Sequence, residues 1–219
     1  EINASSESAH SAYAVLLAAL GRHPEAIREA DRAQELDPLC LVVGTGAAWV
    51  RYAAGDYEGA IEQCRHSVGM DATYGFSAAR RLLGAAYLQV GRVGEAVAEL
   101  ESALDAAKTE PVLMAWLAHA KGVRGDVAGA STLVRRMLAA RRGRHVPAYH
   151  LALAHVGLGD HDAAFASLER AYKDHDPLIT NVGVEPRFAP LQSDARYSSL
   201  LERLGLSRPG AGPWEGHTA

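Results

Sequence analysis

The chain has 219 residues, 48% hydrophobic and 22% charged, with a formal net charge of −4. That length suits one large domain or an extended array, neither of which depends on disulfide or metal staples. A net-negative chain has no overall attraction for nucleic acid or an anionic membrane, and no apolar run approaches the roughly 18 residues that a membrane span requires.

Alanine and leucine dominate the apolar set and aromatics make up 6%, a mix that favours closely approaching helices over a thick sheet core. Cys40 and Cys64 form no CxxC motif, so two reduced thiols in a reducing compartment are the preferred reading over a disulfide. The opening at Glu1, without methionine or a basic-plus-apolar leader, reads as a cut or processed product.

The organising signal is a repeat. Gly21, Gly55, Gly91, Gly125 and Gly159 are spaced by 34, 36, 34 and 34 residues. Each is followed five residues later by an alanine (Ala26, Ala60, Ala96, Ala130, Ala164) and preceded by seven by a small residue (Ala14, Ala48, Gly84, Ala118, Ala152). A period of this length marks stacked supersecondary units, none of which buries its apolar stripe alone. Glycine ends a first helix because it takes positive φ without a Cβ clash, and Asp56, Asp126 and Asp160 follow it as caps for a second helix.

In chain order, residues 1–6 read as a flexible end. Helix pairs are expected over 7–20 and 24–36, 41–54 and 57–69, 75–90 and 93–107, 111–124 and 127–140, and 147–158 and 161–173. The corresponding units are 7–40, 41–76, 77–110, 111–144 and 145–177, and the 36-residue spacing places two extra residues near 72–75. Pro38 and Pro111 sit between units, and Gly143 should break the helix that ends the fourth. Beyond Lys173 the pattern changes to turn-rich, partly extended chain and then a short helix from about Ala195 to Leu204, N-capped by Asp194. This 178–206 segment is expected to cap the last hairpin. Residues 207–219 read as disordered.

The ladder of small residues, glycine and proline resembles the tetratricopeptide repeat from residue 7 to about 177. Tyr87 stands where that pattern carries an aromatic and Pro38 where it carries a proline. Leu17, Arg51, Lys121 and His155 depart from the aromatic, so less regular packing is expected there. The resemblance implies an all-α, right-handed α-solenoid of about five hairpins with a C-terminal cap. AIREADRAQELDPL, DYEGAIEQCRHSVGMD and VEPRFAPLQSDARYSSLLERLGL further resemble the C-terminal arrays of bacterial signalling proteins. There such repeats follow a winged-helix, nucleotide-cyclase or protein-kinase domain, which implies a cytoplasmic regulator whose output domain lies elsewhere.

In the family, one face of each first helix lines an inner groove. The resemblance places Thr45, Trp49, Tyr52, Arg81, Ala85, Leu88, Gln89, Ala115, His119, Tyr149 and Leu153 there. Trp49 and Tyr52 are the natural anchors, since rigid aromatics lose little entropy on burial, although both can equally pack on neighbouring helices. Arg80 and Arg81 can hold a carboxylate or simply face solvent. The Lys, Asn and Arg clamp of chaperone-tail binders is not present at the matching sites, so an apolar or mixed peptide is the expected ligand. The basic stretch from Lys121 to Arg144 includes Arg135, Arg136, Arg141 and Arg142. It can contact an anion, but it lacks interleaved aromatics for stacking bases and reads more simply as solvated surface. Glu95, Glu99, Glu101, Asp105 and Glu110 stand one unit back to neutralise part of it.

No HExxH, P-loop, GxSxG or dinucleotide-binding motif occurs. GTGAAW at 44–49 reads as close helix packing, and Cys64 as core. His145, His150 and His155 scatter around a helix, so no metal site is assigned even with His161 and Asp162 nearby. Asp174 and Asp176 read as hydrated turn carboxylates. The expected function is therefore a non-catalytic protein- or peptide-binding scaffold with no cofactor, no membrane association and no direct nucleic-acid binding. A small-molecule sensor, whose mark would be a pocket closed by Trp49, Tyr52 and Arg81, and a homodimer built through the uncapped first hairpin are the alternatives.

Overall fold

A computed structural model describes residues 6–70, 77–107, 110–140 and 146–206, with the side chain of Ala140 excepted. Among them, the first ten α-helices form five antiparallel hairpins: α1 (Glu7–Ala19) with α2 (His23–Leu36), α3 (Leu41–Ala53) with α4 (Tyr57–Met70), α5 (Ser77–Gln89) with α6 (Val93–Ala107), α7 (Pro111–Val123) with α8 (Val127–Ala140), and α9 (Ala148–Gly157) with α10 (His161–Lys173). Each first helix also packs against the first helix of the next hairpin, giving an all-α solenoid. The helices start and stop within two residues of the expected spans. The interval at 72–75, Gly143 and the two chain ends lie outside the described residues.

Local chemistry accounts for the hairpins. The five turn glycines have φ between +72° and +89°, a region that costs a side chain-bearing residue about 1 kcal/mol or more. Asp56, Asp126 and Asp160 accept backbone N–H bonds from Gly59, Gly129 and Ala163 at 2.9–3.0 Å, capping α4, α8 and α10. Small residues at the crossings are fully buried, among them Ala26, Ala60, Ala96, Ala130 and Ala164. Cys64 is buried, where desolvation pushes its thiol pKa up, Cys40 is half-buried, and both are free thiols.

Two hairpins that lack the family aromatic replace it with a cationic clasp. Arg51 reaches back to Asp31 on the preceding hairpin (2.6 Å) and lies 3.6 Å from Asp56, the cap of its own second helix. Lys121 repeats this with Glu101 (2.6 Å) and Asp126 (3.5 Å). Tyr87, at the same register, accepts a hydrogen bond from Arg65 on α4 (3.1 Å). The side chain changes while the link to the previous second helix remains.

Beyond Lys173 the expected helix from Ala195 to Leu204 is present, capped by Asp194, but the chain leading to it differs from expectation. It is not extended: two 3-10 helices, Pro177–Asn181 and Pro186–Leu191, precede α11 (Ala195–Leu204). Asp194 caps α11, accepting from Arg196 N (2.9 Å), and stands 34 residues after Asp160, the cap of α10. Arg196 bonds Asp162 and Arg203 bonds Glu169, each at 2.8 Å and each 34 residues apart. α11 thus holds the register of a sixth second helix. The stretch that should form its partner contains Pro186 and Pro190, which remove donors and clash inside an α-helix, and only 3-10 turns survive there. Asp176 and Glu185 cap those turns, accepting from Leu178 and Arg187 N–H groups. Asp176 is therefore a structural cap, not merely a hydrated turn carboxylate.

Candidate inner-face site

The 3-10 segment does more than cover the last hairpin: it runs along the inner face of the first helices as far back as α3. Tyr52 on α3 donates its hydroxyl to Glu185 across 133 positions of sequence (2.8 Å). Arg187 lies 3.7 Å from the centroid of the Trp116 ring on α7, and Phe188 meets Tyr149 on α9 edge to face with centroids 5.5 Å apart. Val182, Phe188 and Leu191 are fully buried, and the Val182 carbonyl accepts from Tyr197 on α11 (2.8 Å). Melting the sixth first helix frees this stretch to fold inward.

At its centre is a buried ion pair. The guanidinium of Arg187 makes two parallel 2.8 Å bonds to the Glu185 carboxylate, and both side chains are 1% exposed. Burial alone would raise the pKa of Glu185, but Arg187 and the Tyr52 hydroxyl hold it below the usual carboxylate value. Burial likewise opposes the charge on Arg187, which Glu185 restores. Desolvation, reinforced by Arg187, lowers His119 to about 4 and His150 to about 3, so both rings are neutral near pH 7. Trp116 Nε1 donates to His150 Nδ1 (3.1 Å), and His119 Nδ1 donates to the Leu153 carbonyl (2.8 Å). Burial raises Tyr52 and Tyr149 well above their ordinary values, with Glu185 adding to both. The array groups around the ion pair are therefore aromatic and uncharged, with the Arg81 guanidinium 5.9 Å from the Trp116 ring centroid.

The residues assigned to the groove from sequence fall into two groups. Tyr52, Ala85, Ala115, His119, Tyr149 and Leu153 are buried, while Thr45, Trp49, Arg81, Leu88 and Gln89 are half-buried. Tyr52 is not an open anchor, because Glu185 already holds its hydroxyl. Trp49 packs beside it, centroids 5.6 Å apart, and Thr45 bonds back to the Leu41 carbonyl. Arg81 is engaged within the chain by Glu110 (2.7 Å) and Ser77 (2.8 Å), and Arg80 by Glu99 (2.6 Å). Val42 at the open end is 65% exposed.

Sequence reasoning missed Trp116, His150, Glu185, Arg187 and Phe188. The signal available was the VEPRF run, in which two opposite charges stand two residues apart within apolar chain. Also missed was the crossing of α7 and α9. A Cβ on Gly122 would come 2.1 Å from the Gly157 carbonyl oxygen, and one on Gly157 would come 2.5 Å from the His119 Cα. These glycines bring the two backbones together directly beneath His119.

Of the basic residues, Arg135 and Arg136 are exposed, Arg135 donates to Thr132 (3.0 Å), and Arg141 and Arg142 lie outside the described residues, as does His145. Arg136 lines a surface cleft of about 610 Å³ among α6, α7 and α8, together with Glu101, Asp105, Lys121 and Thr132. The cleft is of mixed charge and lies away from Trp49 and Tyr52. Among the described residues, no helix is long and apolar enough to cross a membrane.

Comparison with known proteins agrees with this architecture. Models described as tetratricopeptide repeat match residues 8–32, 45–111 and 148–173, together more than half of the chain. No curated protein matches the sequence at a significant level. Among solved structures, the chain is similar to a thermophilic TPR protein of Thermus thermophilus, with 20% identity and a TM-score of 0.63 over 90% of this chain and 100% of that one. It is also similar to the PilF protein of Pseudomonas aeruginosa, with 18% identity and a TM-score of 0.55 over 92% and 83% of the respective chains. A third likeness is to the APC/C Cut9–Hcn1 hetero-tetramer, at 17% identity and a TM-score of 0.58 over 92% of this chain and 43% of that one. Identities this low speak to the fold alone. With the five hairpins, the glycine turns and the three family matches in agreement, the chain belongs to the tetratricopeptide-repeat superfamily, whose members are in general protein-interaction scaffolds.

Proposed function

We propose that this chain is a non-catalytic protein- or peptide-binding scaffold, the interaction part of a larger bacterial signalling or transcriptional regulator acting in the cytoplasm. One observation carries the binding role: the inner face already holds polypeptide, through a hydroxyl–carboxylate bond, a stacked guanidinium and an edge-to-face aromatic pair. These are the contact types that anchor peptide ligands. The regulator context rests on the sequence resemblance of the second helices and the C-terminal segment. The partner-binding surface in this reading runs over Thr45, Trp49, Leu88 and Gln89, where the inner face stays partly open, with Val42 at its rim.

A photo-crosslinking side chain placed at Val42 in source cells tests this reading. A discrete protein adduct at Val42, missing when the same group replaces Leu138 on α8, is the expected result. Adducts that do not distinguish the two positions would remove the scaffold reading. A second reading, homodimerisation through the first hairpin, is favoured by Leu16 and Leu20, which are 54% and 51% exposed at α1 and its C-cap. It predicts a dimer in sedimentation that Leu16→Glu with Leu20→Glu dissolves, and a monomeric wild type at all concentrations removes it.

A further inference from the structure

The geometry points to the ligand chemistry of the inner face: a peptide presenting a carboxylate, an arginine two residues later and an aromatic directly after it, which competes with the chain's own residues 182–191 for Tyr52, Trp116 and Tyr149. This inference rests on the scaffold reading and names the partner that the scaffold would take.

Charge balance makes the segment separable. Glu185 and Arg187 neutralise each other through two bonds within the segment, and what they face on the array is uncharged: Tyr52, Trp116, His119, Tyr149 and His150. The nearest array cation, Arg81, has its own acid in Glu110. When the segment leaves, both charges leave together and no unpaired charge is stranded inside the array, the outcome that makes splitting a buried pair so costly. A buried ion pair is also a weak source of stability compared with apolar packing of the same volume, and its best-attested use is to fix register and partner choice. Here the bidentate pair presents one carboxylate oxygen to Tyr52 and the flat guanidinium to Trp116.

Two independent features support an exchangeable occupant. The Tyr149 hydroxyl is buried and has no hydrogen-bond partner among the described residues. The inner face therefore offers a donor that the resident segment leaves unused, and a ligand with a further acceptor near its carboxylate would engage it. The chain also enters the segment through His175, whose φ of +53° is the one positive value among the described non-glycine residues. That elbow sits between the end of α10 and the first 3-10 helix, where the chain leaves the last hairpin for the segment.

The test uses the full chain and a labelled peptide with the sequence of residues 182–191, VGVEPRFAPL. Arg187→Ala with Phe188→Ala changes residues of the segment alone and removes its contacts with the Trp116 and Tyr149 rings. Fluorescence anisotropy is expected to give this variant at least about tenfold tighter peptide binding than wild type. A control peptide with the glutamate and arginine replaced by glutamine should bind neither. Equal, negligible binding of both peptides to a variant that keeps its helical circular dichroism would overturn the inference. Should the variant not fold, hydrogen exchange on the wild type decides. Amides of 182–191 exchanging at least about tenfold faster than those of α7 and α9 sustain it, and exchange only by global unfolding makes the segment permanent core. A Val42 crosslink to a partner alongside a non-exchanging segment would keep the scaffold and discard this ligand; loss of both would discard the scaffold as well.

Discussion

The two ends of the array solve the same problem in different ways. Hairpin two leaves part of its inner face open, with Val42 exposed and Thr45 and Trp49 half-buried. Hairpins four and five have theirs closed by the chain itself, with Trp116, His119, Tyr149 and His150 buried under the Glu185–Arg187 segment. The cores differ accordingly. The first is a small cluster of alanines with Leu17 and Val50, and its outer leucines stay exposed; the last gathers Phe165, Phe188, Tyr149, Tyr197 and several leucines. A solenoid lacks a closed core by construction, so each end must be finished by something other than a regular repeat. At the C-terminus that something is a sixth repeat with a broken first helix.

The sharpest way to break the contrast is to split the buried pair. Glu185→Gln alone leaves Arg187 charged in an aromatic environment and is expected to cost about 3–5 kcal/mol in urea unfolding. Replacing both together with the hydroxyl they satisfy, as Glu185→Leu, Arg187→Met and Tyr52→Phe, should fall within about 1 kcal/mol of wild type or above it. At the open end, Arg51→Ala breaks the Asp31 clasp, whose acid is 47% exposed, and should cost no more than about 1 kcal/mol. Equal losses at the two ends would mean that burial of the pair does not matter.

Acid should expose the same asymmetry. His119 and His150 have folded pKa values depressed to about 4 and about 3, against about 6.5 in an unfolded chain. The unfolded state therefore binds protons first as pH falls, and stability present above pH 6.5 is lost on the way down towards 4. Between pH 6.5 and 5 the two rings together should remove on the order of 3 kcal/mol. Glu185, held below its ordinary value, adds a further loss only below about pH 4.5. His119→Gln with His150→Gln should flatten the pH 5–6.5 part of a melting-temperature profile, and an unchanged slope would show that neither ring titrates on unfolding.

Glycine spacing offers a smaller effect. Gly157→Ala drives a Cβ to within 2.5 Å of the His119 backbone, which cannot yield as a side chain can, so about 1–3 kcal/mol of destabilisation is expected. Gly46→Ala in the open half meets only the Ser11 hydroxyl at 3.0 Å, which can rotate away, and helix propensity favours alanine there. Thermal melts of the two variants should move in opposite directions.

Much of the array was legible because a 34-residue ladder constrains every hairpin at once. The turn glycines, Asp caps and buried alanines each sit where the spacing puts them. The inner face was only half legible. Register puts Tyr52 and Tyr149 on one shared face of the first helices, but no helical pattern shows that Glu185, 133 residues away, lies against Tyr52. The missed clue was the ladder itself: Asp194 continues the spacing of Asp160, and Arg196 and Arg203 that of Asp162 and Glu169. Prolines hid the repeat by destroying the helix that would have announced it.

The smallest effect is expected at the elbow between the two regimes. All five hairpin turns place glycine at positive φ, whereas the turn out of α10 uses His175 at +53°, with the Asp176 N–H bonding back to the Ala171 carbonyl as in a glycine-terminated helix. A histidine in that region carries a backbone cost that glycine avoids, partly offset by the greater freedom of glycine in the unfolded chain and by the His175 Nδ1 contact with the Tyr172 carbonyl (3.2 Å). His175→Gly should therefore raise stability by about 0.5 kcal/mol, whereas Gly159→Ala at the hairpin-five turn should lower it by about 1 kcal/mol. If His175→Gly instead destabilises, the side-chain contact outweighs the backbone cost, and the elbow is a latch that holds the segment against the inner face.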